Sequence, residues 1–503
     1  MKTSRSILSI FAFCVAISLT LAAQTFNSIY NFAGTDGQFP QGPLVQGFDG
    51  NLYGTTLSGG ANGVGSIFKI SPSGQLTTIY SFCSRPHCVD GDLPYAGLVL
   101  ATNGNFYGTT YQGGQSVVTK TCPTYGCGTV FEVSPTGAFK SLYSFCAASD
   151  CSDGLDPTIG LIQGIDGNFY GATTRGGPNS GGTVFEITPG GKLTTLYSFC
   201  TPQACNPYDG PVGAISLVQN RSGALFATGG GGPSNAGTIY ELTPANKLIS
   251  GYSFSHPESG PNALILGADG DFYGSSQGGY VGNLCATECG EVFRFAQGEF
   301  SVLAKFSCSS ASCPDGANPF GTLAQGNDGN FYGTAGDGGN NSNSVVCFNG
   351  GCGTIFEVTA SGQLSGLYSF CSQANCTDGA EPQSGLMQAT NGTFYGTTYL
   401  GGITQSGACE NAGCGTVFSL SVGLSPFVQA LPNFGGPGKV INILGNGLTG
   451  STSVRFNGTA AAFTVISDTQ IQATVPSGAT SGTVQVTTPT GTLSSNISFR
   501  ALP

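Results

Sequence analysis

The stretch DGNFYGATTRGGPNSGGTVFEITPGGKLTTLYSF, Asp166 to Phe199, decides the reading of the chain, because most of the sequence is built from copies of it. An aromatic–Gly pair behind a DGN-type turn recurs at Tyr53-Gly54, Tyr107-Gly108, Tyr170-Gly171, Tyr273-Gly274, Tyr332-Gly333 and Tyr395-Gly396, with a degenerate copy at Phe226-Ala227. A second anchor, Gly-x-(Val/Ile)-(Phe/Tyr), follows each at Gly65, Gly128, Gly182, Gly237, Gly290, Gly353 and Gly415. Both anchors count seven, and the first are 54, 63, 56, 47, 59 and 63 residues apart. A period of this size implies one supersecondary unit per copy, stacked on its neighbours.

Each unit resolves into four short strands. In the unit at Asp166 they are Thr158–Gly164, Phe169–Thr174, Thr183–Thr188 and Leu193–Phe199. Asp166-Gly167-Asn168 supplies the first hairpin turn and Pro189-Gly190-Gly191 the last. The strands are β-branched and aromatic runs between Gly, Pro, Asn and Asp punctuation. Phe185 and Ile187 point one way along the third strand and Val184 the other, so both sheet faces need cover. Radially stacked four-stranded blades provide it.

The seventh unit has a third strand, Thr416–Ser421, but no fourth. The missing pattern stands at the other end of the chain, in Phe26–Phe32, FNSIYNF. That segment is expected to complete the last blade and close a seven-bladed β-propeller over residues 24–423, leaving no open sheet edge.

A length of 503 would suggest about three domains, but the repeat replaces that expectation with one ring and one small domain. Gly is 82 residues, and charged residues are only 8%. Met1–Ala23 reads as a secretory signal peptide: Lys2 and Arg5, an apolar run Ile7–Leu21, then Ala22-Ala23. The run is short for a bilayer span, and no other segment could cross one. A secreted or cell-envelope location is expected.

Apart from Cys14, the 18 cysteines fall into local pairs. They are Cys83/Cys88, Cys122/Cys127, Cys146/Cys151, Cys200/Cys205, Cys285/Cys289, Cys308/Cys313, Cys347/Cys352, Cys371/Cys376 and Cys409/Cys414. Zinc is a poor alternative, since His87 and His256 are the only histidines. Nine local disulfides are expected. Five pairs lie between a fourth strand and the next unit, and four between second and third strands. In an up-and-down blade both kinds of loop emerge on one face. Long loops on a rigid scaffold are where binding usually resides.

The same face carries Asp36, Asp90, Asp153, Asp209, Asp315 and Asp378, each before a Gly, mostly in an Asp-Gly-x-x-Pro run. One copy is degenerate, Glu258-Ser259-Gly260. Two readings stand side by side. The acids form a binding ring for Ca²⁺ or sugar hydroxyls, or each shapes its own turn by bonding nearby backbone. Glu132, Glu186, Glu241 and Glu357 share a third-strand position with Lys69, Arg294 and Ser419, which argues for a surface role over catalysis.

From Leu424 the repeat stops. Strands are expected at Val440–Leu444, Ser453–Phe456, Ala462–Ile466, Gln470–Val475, Thr483–Thr487 and Ser495–Phe499, a small β-sandwich over residues 424–503.

Two resemblances rest on these residues. Gly128-Thr129-Val130-Phe131, Leu142-Tyr143-Ser144-Phe145, Asp153-Gly154 and Tyr107-Gly108-Thr109-Thr110 resemble the GloVer tandem repeats of exported bacterial proteins. The resemblance implies export and often a C-terminal surface anchor, and it implies no settled activity. Arg500–Pro503 show no sorting signal. The second run is Phe434-Gly435, Val440–Gly445, Val454–Gly458, Asp468–Ile471, Val475-Pro476 and Thr488–Gly491, which resembles an immunoglobulin-like IPT/TIG domain. Such modules serve as spacers or binding domains.

The expected function is that of a non-catalytic extracellular binding or structural protein. Its partner would be a glycan, an envelope component or a protein, and the chain a monomer. Tyr111, Tyr125 and Tyr280 are candidate sugar-stacking residues. With a net charge of −11, nucleic acid is not an expected partner. A propeller glycoside hydrolase or lyase is the alternative. It would need flanking carboxylates or an arginine cluster, and Arg85, Arg175, Arg221 and Arg294 are scattered. A Ca²⁺-stabilised scaffold is a third reading. No motif calls for a cofactor.

Overall fold

The computed structural model describes residues 24–503 except 116–121, 123–125, 201–213, 231–235, 244, 256–259, 279–288, 310–312, 342–345, 348–349, 403–408 and 410–411. The signal-peptide reading of residues 1–23 therefore lies outside the described residues, as do Asp209, Glu258, Tyr125 and Tyr280. Among the described residues there is no α-helix, and no helix is long and apolar enough to cross a membrane.

Residues 25–421 form seven four-stranded antiparallel sheets, arranged in a propeller-like way. The third sheet holds Ile162–Gln163, Phe169–Thr173, Ser180–Ile187 and Leu193–Cys200, in chain order. Its innermost strand is shorter than the predicted Thr158–Gly164. The residues before it are still turning out of the Asp-Gly-x-x-Pro run and meet the end of the second strand through the isolated bridge Leu155–Arg175 and the bonds of Thr174 to the Asp156 carbonyl. The third strand instead starts early, at Ser180.

Both faces of each sheet are covered, as the mixed alternation requires. Phe185 and Ile187 share a core with Tyr107, Val130 and Phe145 of the preceding sheet. Val184 packs with Leu217, Leu225 and Tyr240 of the next. The repeated anchors follow from this packing. Gly171 faces Phe185 across the strand pair, and a Cβ on Gly171 would stand 2.5 Å from the Phe185 ring. The tyrosine before it stacks on the following sheet: Tyr53 on Phe106 and Tyr107 on Phe169, each with ring centroids 4.0 Å apart. Such pairs contribute about 0.5–1.5 kcal/mol beyond the area they bury.

The seventh sheet closes as expected. Thr25–Asn31 pairs with Thr416–Ser421, from Thr25 opposite Ser421 to Asn31 opposite Thr416. Phe32, Leu44, Leu52 and Phe68 at the chain's start share a core with Tyr395 and Val417 near its end. A second device links neighbours. Glutamines ending the innermost strands accept backbone N–H groups from the sheet before: Thr102 to Gln163, Ile165 to Gln219, Ala268 to Gln325 and Asn327 to Gln388, at 2.8–3.0 Å.

The C-terminal region forms two four-stranded sheets on one core, with Ile441, Ile443 and Ile471 facing Val454, Phe456, Val484 and Val486. Five of the six expected strands start within one residue of their predicted position, and two, Val440–Leu444 and Ser453–Phe456, match it at both ends. Ser495–Phe499 is not a strand. The chain there pairs through Gly491–Ser494 and then Arg500–Ala501, the latter parallel to Phe434–Gly435.

Expected as a spacer, this region is docked on the hairpin-turn end of the sheets. Thr469 Oγ1 donates to the Phe48 carbonyl at 2.7 Å, Asn442 Nδ2 to Thr102 O at 3.2 Å and Asn446 Nδ2 to Thr390 Oγ1 at 2.7 Å. Leu431 and Leu444 pack against Val45, Phe48 and Leu100.

Candidate functional site

The loops joining one sheet to the next, and those joining second to third strands, emerge at the opposite end from the docked region. Seven of the nine expected disulfides are present among the described residues, with Cα separations of 4.0–5.6 Å: Cys83–Cys88, Cys122–Cys127, Cys146–Cys151, Cys308–Cys313, Cys347–Cys352, Cys371–Cys376 and Cys409–Cys414. Cys289 is also disulfide-bonded; Cys285 and Cys205 lie outside the described residues. These disulfides fit an oxidising, extracytoplasmic environment. They pack on one another, and all four sulfurs of Cys347, Cys352, Cys371 and Cys376 lie within 4.8 Å.

The five candidate acids among the described residues do not converge. Asp90 accepts the Tyr80 hydroxyl at 2.6 Å and the Ser84 and Arg85 amides at 2.9 and 3.3 Å. Asp153 takes Tyr143 at 2.8 Å with Ala147 and Ala148. Asp378 takes Tyr368 at 2.8 Å with Ser372 and Gln373. Asp36 takes Tyr30 and the Ala33 amide. Each tyrosine comes from the outermost strand of the sheet just left. The carboxylate thus ties that strand to its own crossover loop, which a disulfide also clamps at Asp90, Asp153 and Asp378 but not at Asp36. Burial, then the carboxylate, pushes the phenols up, Tyr80 to about 12 and Tyr143 and Tyr368 further. Asp90 and Asp378 are fully buried. Asp315 has no tyrosine in phase, since Ala304 stands there, and it accepts the Gly366 amide at 2.8 Å. Asp209 lies outside the described residues.

The shared third-strand position is settled in the same local way. Glu132 accepts from Asn105 and Tyr107, and Glu357 from Asn330 and Tyr332. In the fifth sheet both partners change together: Arg294 pairs with Asp271, its Nε at 2.8 Å.

A different ring of residues surrounds the opening between the sheets, and the sequence reading did not pick it out. In Asp-Gly-x-x-Pro, the residue before proline is left-handed in five sheets: Phe39, Leu93, Asp156, Asn318 and Glu381, with φ between 50° and 60°. That region is costly for any residue with a Cβ and more so before proline. The strain is held by hydrogen bonds to the cysteine loops. Phe39 donates to Cys414 O, Asp156 to Cys127 O, Asn318 to Cys289 O and Glu381 to Cys352 O, at 2.8–3.0 Å. Leu93 makes the matching bond to Val64 O at 3.0 Å, in a loop without cysteines, so the second-to-third-strand loop itself holds the conformation, and in the other four copies that loop carries a disulfide-bonded cysteine. The only sequence signal was the fixed spacing to proline, because the residue type varies from copy to copy.

Around this opening the side chains form an arc. Phe39 stacks on Tyr399 at 4.9 Å, and Tyr95 meets Tyr111 edge-on at 5.7 Å. Tyr111 adjoins the ion pair of Asp156 and Arg175, 3.1 Å apart. Burial raises Asp156, and Arg175 opposes that shift. Asn318 donates to Asp337 at 2.8 Å; burial raises Asp337 too. Behind the arc lies a channel of about 730 Å³, lined by Gln41, Tyr95, Thr158, Asn262, Gln277 and Phe320. Gln41 Nε2 donates to Gln383 Oε1 at 3.1 Å, and Gln41 Oε1 is buried with no partner among the described residues.

The chain belongs to the family of the Gloeobacter/Verrucomicrobia repeat, which matches residues 14–150 and 212–410, and it carries an IPT/TIG domain at residues 426–501. Together these modules fit a surface-associated protein. No curated protein matches the sequence. Among solved structures, a streptogramin B lyase covers 79% of this chain and 97% of its own, at 14% identity and TM-score 0.48. The GH74 enzyme of Niastella koreensis covers 94% and 69%, at 12% and 0.47. The WD40 β-propeller domain of Doa1 covers 79% and 97%, at 11% and 0.46. Likeness this distant says nothing of chemistry in the present chain.

Proposed function

We propose that the chain is an exported, non-catalytic binding protein. Its seven sheets are the blades of one closed propeller, its C-terminal domain is an immunoglobulin-like sandwich, and its ligand meets the cysteine-bearing end. One observation carries this reading: a backbone strained in the same way in five copies presents a different side chain each time. Strain that persists is held by its surroundings and is a reason to look for function. Here the varied residues, Phe39, Leu93, Asp156, Asn318 and Glu381, are pinned to one rim beside an aromatic arc. A scaffold needs no such variation, whereas recognition does. A non-catalytic role is supported by the carboxylates at the rim: Asp156 is committed to Arg175 and Asp337 to Asn318.

The test is co-sedimentation of the mature, oxidised protein with isolated bacterial envelope. Tyr95→Ala and Tyr399→Ala should reduce retention, measured well below the unfolding midpoint of each variant. Retention that ignores both substitutions overturns the reading.

A further inference from the structure

We infer that the channel behind the aromatic arc takes a neutral polysaccharide, entered from the cysteine-bearing end; this rests on the binding reading above. Three features point to that chemistry. The first is the wall. Tyr95 is 39% exposed, the most accessible tyrosine of the arc, and it lines the channel together with Phe320. An exposed ring beside a cavity is a platform for the apolar face of a sugar. The second is the set of polar groups. Thr158 and Gln277 line the same space, among Leu98, Ile159, Leu217 and Leu264, and offer uncharged groups in Thr158 Oγ1 and Gln277 Oε1; Asn262, also in the wall, is committed to Ser275, the Pro319 carbonyl and Gln277.

The third is charge. Asp156, Asp337 and Glu381 stand at the rim, and Arg175, the cation there, is engaged with Asp156. The whole chain carries −11. An anionic polymer such as a polyuronate would meet this field with like charge. Aromatic rings beside a few uncharged polar groups, here Tyr95 and Phe320 with Thr158 and Gln277, suit hydroxyl-rich, uncharged chains.

Access fixes the direction. The C-terminal region sits on the hairpin turns of the seventh, first and second sheets through Thr390, Phe48 and Thr102. The approach is therefore assigned to the cysteine-bearing opening, the end away from the docked region. The cavity, about 730 Å³, falls within the ordinary range for small-ligand sites, about 300–1,000 Å³. One or a few sugar units fit it, so a chain end or a single protruding branch is the expected occupant.

The experiment is affinity electrophoresis of the full mature chain in gels carrying mixed-linkage β-glucan, galactomannan, pullulan, polygalacturonate or chitosan. At least one of the three neutral polymers should retard the protein. Tyr95→Ala and Gln277→Leu should each weaken that retardation, Tyr95→Ala by about tenfold in Kd. Both variants are checked for an unchanged melting midpoint. Retardation by polygalacturonate or chitosan alone overturns the inference, as does a failure of all neutral polymers. If envelope retention still depends on Tyr95 while no neutral polymer binds or competes, the binding reading stands and the assignment to neutral sugar falls.

Discussion

Gln46 and Thr390, 344 positions apart, hold each other's polar groups: Gln46 Oε1 accepts the Thr390 amide at 2.9 Å, and Gln46 Nε2 donates to Thr390 Oγ1 at 3.2 Å. This is the seam where the seventh sheet returns to the first. It repeats the link that Gln163, Gln219, Gln325 and Gln388 make elsewhere. The belt is broken at Leu100 and Leu266, which occupy the glutamine position in the second and fifth sheets. At Leu100 the gap is filled from outside, since Leu431 and Leu444 of the C-terminal region pack there.

Substituting Gln46→Leu should therefore weaken the seam specifically. It leaves the buried Thr390 amide without its acceptor, a loss of about 1–3 kcal/mol. The expected outcome is a lower unfolding midpoint and faster proteolytic release of Thr25–Asn31, the strand that closes the same seam. Gln219→Leu serves as the comparison: it should lower the midpoint without exposing that strand. Equal release from both variants would show that the seam has no special dependence on Gln46.

The rim acids separate a turn role from a ligand role in a second experiment. Asp378 is fully buried and accepts from Tyr368, Ser372 and Gln373. Replacing it by Asn removes the charge that makes these bonds strong, at a cost of roughly 1–3 kcal/mol. Thermal unfolding should fall while polysaccharide retardation, measured well below the new midpoint, stays the same. Loss of retardation without loss of stability would restore the acids as ligands.

The repeat made the architecture legible because its two anchors are steric necessities. Gly171 has no room for a Cβ against Phe185, and Tyr170-type rings bridge sheets, so both recur in almost every copy. The closing strand was legible for the same reason: FNSIYNF carries the fourth-strand pattern without a unit to belong to. The opening was not legible, because Phe39, Asp156 and Glu381 share a backbone conformation and no chemistry. Docking of the C-terminal region was hidden too. It rests on Leu100, Leu431 and Leu444, three leucines with nothing in the local pattern to mark them. The acids drew attention by recurring, and they recur because each crossover loop needs one.

A final expectation concerns pH. Asp92 is only 5% exposed, and its Oδ1 has no partner among the described residues. In other sheets its position carries Leu155 or Ala380, which pack on a disulfide of the preceding sheet. The first sheet has no cysteines in its second-to-third-strand loop, and a carboxyl fills the place. Burial pushes that carboxyl up to about 6, with the nearby Asp90 adding to the shift and the Leu93 amide opposing it. The folded state thus holds this proton more tightly than the unfolded chain does. Above about pH 6 the buried charge costs stability in full; as pH falls from there toward the ordinary carboxylate range, the cost is relieved. Asp92→Asn should then raise the unfolding midpoint at pH 8, by about 1–2 kcal/mol once partial solvent access is allowed for. At pH 4 the variant and the parent should unfold together. The difference between them is the quantity to measure, since Asp156 and Asp337, also raised by burial, are common to both. A variant less stable than the parent at pH 8 would mean that the charged form of Asp92 is held by a partner, and the argument from its burial would fail.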